Sequence, residues 1–130
     1  EIQFALFKRA DLNVWQGIAG GVEEGENIFE ACKREANEEA GIPFDASFIK
    51  LDSKSTIPVN FINGDFLWGE RTFNVIEYCF GVCVDDIDIV LSEEHKEVFW
   101  TDYEKAFTMF KWDSNRNALW ELNERIKRMK

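Results

Sequence analysis

The spacing of apolar positions changes repeatedly along the chain, and each change marks an element. Residues 2–8 (IQFALFK) are aromatic and β-branched with no breaker, which predicts a strand. ADLN at 10–13 reads as a turn, and VWQGIAGG at 14–21 as a short strand ending in a glycine-rich bend. From Asn27 the period becomes helical. Ile28, Cys32, Ala36 and Ala40 recur four apart and make a narrow apolar stripe over 27–40. Asn27 with Glu30 three residues on forms an asparagine version of the capping box. Gly41 suits the left-handed position past the end, and Pro43 blocks further helix. Residues 47–57 and 71–84 return to strand character, with a turn signal at 63–65 (NGD) and a loop at 85–88. The 71–84 run is the longest and reads as central. A short strand at 97–100 precedes a helix at 103–109, capped by Thr101 or Asp102. The last helix starts from a Ser114 cap, with Ala118, Leu119, Leu122, Ile126 and Met129 as its core face. Strands and helices mix without a regular βαβ rhythm, so the expected class is α+β, a mixed β-sheet between helices in one domain over 1–130.

Composition narrows the function. The 130 residues are 45% hydrophobic and 15% aromatic, enough for a real core. The net charge of −10 opposes a nucleic-acid polymer or an anionic membrane as partner. It leaves a phosphorylated small molecule open, because a bound divalent cation inverts the local field. Cys32, Cys79 and Cys83 form no CxxC pair, which points to reduced thiols and a cytoplasmic setting, with Cys79 and Cys83 as core residues. No apolar run reaches the ~18 residues of a membrane span. The first residue is Glu1 rather than Met, which leaves the natural start open. A homodimer is compatible with all of this.

The chemistry concentrates between Gly20 and Ile42, a stretch with seven glutamates. Glu35, Glu38 and Glu39 stand at i, i+3 and i+4 and share one helix face, where like charges repel by a few tenths of a kcal/mol per pair. They lie toward the C-terminal end, where the helix dipole also disfavours them. Cations on that face explain the arrangement, since Mg²⁺ takes carboxylates, waters and substrate phosphates as its shell. Gly20 and Gly21 let the backbone approach a ligand, and the bend brings a carbonyl such as that of Ala19 toward the same face. Arg34 can hold a neighbouring carboxylate by paired hydrogen bonds.

This stretch resembles the Nudix box, G-x5-E-x7-R-E-U-x-E-E-x-G-U, where U is bulky and apolar. The chain supplies Gly20, Glu26, Arg34, Glu35, Ala36, Glu38, Glu39, Gly41 and Ile42 at the required spacing; Ala36 is smaller than usual at U. The resemblance implies the Nudix fold, an α/β/α sandwich, and hydrolysis of a nucleoside diphosphate linked to a further moiety with Mg²⁺ or Mn²⁺. It implies Glu35, Glu38, Glu39 and the Ala19 carbonyl as metal ligands, with Glu35 alternatively the general base. Glu35, Glu38 and Arg34 would form the catalytic group, Arg34 and Glu26 fastening the preceding loop to the helix.

Outside the box the family usually adds one glutamate from a later loop. In LSEEHKEVFW (91–100) the candidate is Glu94, with Glu93 and Glu97 as rivals and a charged surface loop as the plain alternative; His95 reads as a local structural residue. The W-x-S-N-R run at 112–116 resembles the end of bacterial dihydroneopterin triphosphate pyrophosphohydrolases, a Nudix branch that also accepts nucleoside triphosphates such as dATP. That implies release of pyrophosphate from a triphosphate. Arg116 is a candidate phosphate contact or, equally, a helix cap. Trp15, with Phe61, Phe66 and Trp68, can stack on a purine or pterin ring or simply pack in the core. Gly20 and Gly21 complete the substrate-binding candidates. Pro58 lies near a marker proline of ADP-ribose pyrophosphatases, and a catalytically silent Nudix-fold binding module is a further alternative.

Overall fold

The computed structural model describes residues 2–18, 26–58, 73–85 and 89–129. β1 (Phe4–Arg9) is the middle strand of a three-stranded antiparallel sheet, between β2 (Trp15–Gln16) and β5 (His95–Thr101). Its alternation explains the layers. Phe4 and Leu6 pack with Ala106, Phe110 and Leu119 of the C-terminal segment, whereas Phe7 packs with Ala36, Ala40 and Ile42. Side chains alternate across a strand, so consecutive apolar residues serve two opposite faces. The sheet is thus held between α1 (Ile28–Ala40) on one side and α2 (Tyr103–Met109) with α3 (Asp113–Arg128) on the other.

Local chemistry sets the ends of α1. The Asn27 side chain accepts from the Glu30 amide at 2.8 Å, and the Glu30 carboxylate accepts from the Asn27 amide at 3.1 Å. Gly41 closes the helix at φ 71°, a conformation that costs other residues a clash at Cβ. Asp102 rather than Thr101 caps α2, accepting from the Lys105 amide at 2.9 Å.

β3 (Ser47–Pro58) and β4 (Asn74–Cys83) form a second antiparallel pair, whose register breaks between Lys50 and Lys54. The amides of Asp52 and Ser53 at that break both donate to the Glu121 carboxylate of α3, each at 2.7 Å. α3 also packs on β4 at Gly81, where a Cβ would lie 2.6 Å from Leu122 Cδ1.

The expected α+β class holds, and the pairings among the described strands are antiparallel, with one isolated parallel bridge, Trp15–Phe110. Other expectations are corrected. β4 pairs with β3 and lies outside the β1 sheet among the described residues. Within the described part of the expected strand 14–21, pairing is confined to Trp15–Gln16, with Val14, Gly17 and Ile18 outside it; residues 19–21 lie outside the described set. β5 begins two residues early, at His95. α3 starts at Asp113 from Trp112, with no side-chain cap, so Ser114 is inside the helix. Met129 is 79% exposed, one turn too far along α3 to reach the sheet, while Leu119 is buried and Leu122 and Ile126 pack on the core. Cys83 is exposed at the end of β4, and Cys79 is half-buried. In α1 the expected stripe is buried at Ala36 and Ala40 and only half-buried at Ile28 and Cys32, while Ala31 and Glu39 are buried beside it.

Candidate active site

α1 carries its acids on two levels of burial. Glu38 is 55% exposed, Glu35 is 19% exposed, and the Glu39 side chain is only 5% exposed. Arg34 ties the helix to the residue before its cap. Its Nε donates to Glu26 Oε2 at 2.7 Å and its Nη2 to Glu26 Oε1 at 3.2 Å. Nη1 donates to Glu35 Oε1 at 2.7 Å and to Glu38 Oε1 at 3.1 Å. One planar guanidinium therefore orders three carboxylates, a geometry its fork of donors suits.

A later loop is stitched onto the C-terminal end of α1. The last carbonyls of a helix lack partners within it. Here the Val90 amide donates to Ala40 O at 3.0 Å, and the Ser92 amide to Glu39 O at 3.3 Å. Glu94 is thereby brought to Glu39. Burial first, then contact with Glu94 and Glu35 and their charge, pushes the Glu39 carboxyl up to about 10. Two ionised carboxylates repel, and such a contact becomes a hydrogen bond only if one keeps its proton. Glu39 Oε2 is buried and has no hydrogen-bond partner among the described residues.

His95 lies beside it. Its Nδ1 is 3.8 Å from Glu39 Oε1, and its ring packs against Phe7 with centroids 5.5 Å apart. Burial is the first cause lowering its pKa, with Arg9 also lowering it and Glu94 and Asp11 acting in the other direction. Neither ring nitrogen has a hydrogen-bond partner among the described residues.

Divalent cations fit this donor set. Hard carboxylate oxygens suit Mg²⁺ or Mn²⁺, and an unpartnered buried carboxylate oxygen beside two further acids is costly without a cation. Among the described residues no three His, Cys, Asp or Glu form a finished metal cluster. Glu35 and Glu38 direct oxygens to Arg34, and the Ala19 carbonyl lies outside the described set, as do Gly20 and Gly21.

The remaining sequence candidates have other neighbours. Trp15 packs against the Phe4–Leu6 core, 6.0 Å from the Phe99 ring, with Lys8 Nζ 5.4 Å from its centroid. Arg116 donates to Phe107 O at 3.2 Å, to Phe110 O at 2.6 Å and to Asp113, so it fastens the α2–α3 turn. Of the rivals to Glu94, Glu97 lies 4.0 Å from Lys8 Nζ across the strand pair, and Glu93 is exposed. Phe61, Phe66 and Trp68 lie outside the described residues. Sequence reasoning missed the Glu39–His95 contact, which joins positions 56 apart in the chain. It also missed Trp112, whose Nε1 donates to Gln16 Oε1 at 3.1 Å.

An α+β sheet between helices, with clustered and partly buried acids on one helix, defines a class of small acid-centred enzyme domains. The model of the NUDIX domain matches residues 3–121, and the chain belongs to that family of hydrolases. It is 29% identical over 116 residues to the dihydroneopterin triphosphate diphosphatase of Escherichia coli K12, covering 88% of this chain and 77% of that protein. Its fold is similar to a crystal structure of a NUDIX hydrolase from Listeria monocytogenes, with a TM-score of 0.88 at 40% identity over 98% of this chain and 85% of the other. It is also similar to the E. coli dihydroneopterin triphosphate pyrophosphohydrolase, with a TM-score of 0.76 at 25% identity over 93% and 86% of the two chains. Among the described residues no helix is long and apolar enough to cross a membrane.

Proposed function

We propose that the chain hydrolyses a phosphoric anhydride bond of a small nucleoside-triphosphate-like molecule, either dihydroneopterin triphosphate or a dNTP, to a monophosphate and pyrophosphate. The observation that carries this is Glu39 on the box helix, a buried carboxylate with an unpartnered oxygen, set against Glu35 of the same helix and Glu94 of the later loop. The relatives named for dihydroneopterin triphosphate support the substrate class.

Glu38, Glu39 and Glu94, with the Ala19 carbonyl, would hold Mg²⁺ or Mn²⁺, and Glu35 would be a further ligand or the base. When bound, such a cation neutralises charge on phosphate oxygens and makes water a better nucleophile at neutral pH. The chain's own work is positioning. Arg34 fixes the Glu35 carboxylate, which as the base would take the proton of the attacking water. Glu26 fixes Arg34 in turn. Gly20 and Gly21 let backbone approach the phosphate chain. Trp15 would stack on the ring of the substrate and Arg116 would contact its phosphates; Arg116 also fastens the α2–α3 turn.

A release assay with Mg²⁺ over dihydroneopterin triphosphate, the dNTPs and ADP-ribose tests the reading. Pyrophosphate from the triphosphates, abolished by Glu38→Gln with the fold kept, is expected. AMP and ribose phosphate from ADP-ribose, or ligand binding without turnover on the whole panel, overturns it.

A further inference from the structure

His95 opens β5 opposite Arg9, where the β1–β5 register shifts. Its side chain is 2% exposed, and an apolar residue would fill the space against Phe7 equally well. An imidazole buried there brings a polar N–H into the core, and buried polar groups in native structures generally have partners. Glu39 Oε1 lies 3.8 Å from Nδ1, just beyond the ~3.0 Å at which a hydrogen bond forms. Both side chains are at least nineteen-twentieths buried, and His95 Nδ1 and the other Glu39 oxygen, Oε2, lack hydrogen-bond partners among the described residues. A small side-chain rotation joins Nδ1 to Oε1. Metal-ligating groups are commonly oriented by such outer partners.

We propose that His95 is a positioning residue for Glu39, its Nδ1–H donating to Oε1 so that Oε2 is left as the oxygen for a divalent cation. The inference rests on the cation-binding reading of α1 and adds a residue to it. The imidazole touches neither substrate nor cation. It fixes which Glu39 oxygen is available, and it does so from β5, so the strand that follows the Glu94 loop sets the geometry of a carboxylate on α1.

His95 is the single histidine in the chain, so its ring nitrogens give one unambiguous pair of ¹⁵N signals. In labelled wild-type protein, the expected result is a proton on Nδ1 that shifts downfield and exchanges more slowly with water as Mg²⁺ is added. In calorimetric Mg²⁺ and Mn²⁺ titrations, His95→Ala should weaken binding about 10-fold or more. His95→Asn, whose amide nitrogen can stand where Nδ1 stands, should recover most of that loss. A proton on Nε2 with Nδ1 bare, an unchanged Ala variant, or Ala and Asn variants that weaken alike each overturns the assignment. Wild-type protein that binds neither cation removes the cation site itself. Wild type that binds while His95→Ala binds equally well removes only this inference. The tautomer measurement needs no variant and decides the matter even if His95→Ala does not fold.

Discussion

Arg34 and Glu26, eight residues apart, are joined by two hydrogen bonds of 2.7 and 3.2 Å, and both side chains are less than one-fifth exposed. The pair spans the N-terminal cap of α1 and fixes Glu26 against the helix. The same guanidinium reaches Glu35 and Glu38. The first turn of the helix and its acidic face therefore share one support. Lysine keeps the charge and loses the fork. Arg34→Lys should lower kcat by about 10- to 100-fold, with a stability loss of about 1–3 kcal/mol from the carboxylates left short of donors. Steady-state kinetics alongside urea unfolding measures both, and a Lys variant with wild-type kcat would contradict the support role.

Glu39 should show function and stability pulling in opposite directions. Its carboxylate is buried beside two other acids, an arrangement unfavourable in the cation-free protein. Glu39→Gln keeps the shape and removes the charge. The metal-free variant should melt at or above the wild-type Tm, while turnover falls by at least ~100-fold. Thermal melts without and with Mg²⁺ check this: the cation should raise the Tm of wild type and leave the variant nearly unmoved. A metal-free variant that melts well below wild type would mean the carboxylate is a structural asset instead.

Much of α1 was legible in the sequence because its signals are local. The Asn27–Glu30 box, the Gly41 stop and the Glu35, Glu38, Glu39 spacing all lie within one helix length. What could not be read was which of the three acids is buried. That depends on the Val90 and Ser92 amides folding back onto the helix end, a contact set by tertiary packing across about 50 residues. The start of α3 was misread for the opposite reason: Ser114 is a good cap by type, but the chain enters the helix at Trp112 with no side-chain cap. Met129 continues the apolar stripe, yet the sheet it would cover does not extend that far.

Acid stability should depend on Glu121. Its carboxylate accepts from the Asp52 amide, the Ser53 amide and hydroxyl, and Arg125 Nε, all at 2.7 Å. Burial works to raise its pKa, but those donors outweigh it and hold the carboxyl at about 2. The folded value lies below the unfolded one, so the stabilisation is full above about pH 4.5 and fades as the pH falls toward 2. Glu121→Gln should cost about 1–3 kcal/mol at neutral pH. The gap between variant and wild type should shrink as pH falls through that window. Urea midpoints at pH 7, 4 and 2.5 would show it, and a gap that stays constant with pH would exclude a charged anchor at the β3 register break.

The loop glutamates offer the sharpest separation. Glu93, Glu94 and Glu97 sit within five residues, but each meets different neighbours. Glu97 lies on β5 across from Lys8, with the ammonium 4.0 Å away, and Glu93 is exposed. Glu94 alone of the three acts on Glu39; its carbonyl accepts from the Ala10 amide at 3.0 Å, and its own amide donates to the Ser92 hydroxyl oxygen at 3.3 Å. Those two bonds hold the Glu94 backbone while its side chain reaches the α1 acids. All three are exposed, and the contact with Glu39 is what sets Glu94 apart. Glu94→Gln should therefore cut kcat at saturating Mg²⁺ by about 10²-fold or more, whereas Glu93→Gln and Glu97→Gln, exposed charges without that contact, should stay within about 3-fold of wild type. Raising Mn²⁺ should partly restore the Glu94 variant if the lost group is a ligand, and leave it unrestored if the group moves a proton. Equal losses at all three positions would mean that the loop acts through its net charge, and that the contact between Glu94 and Glu39 has no special part in the reaction.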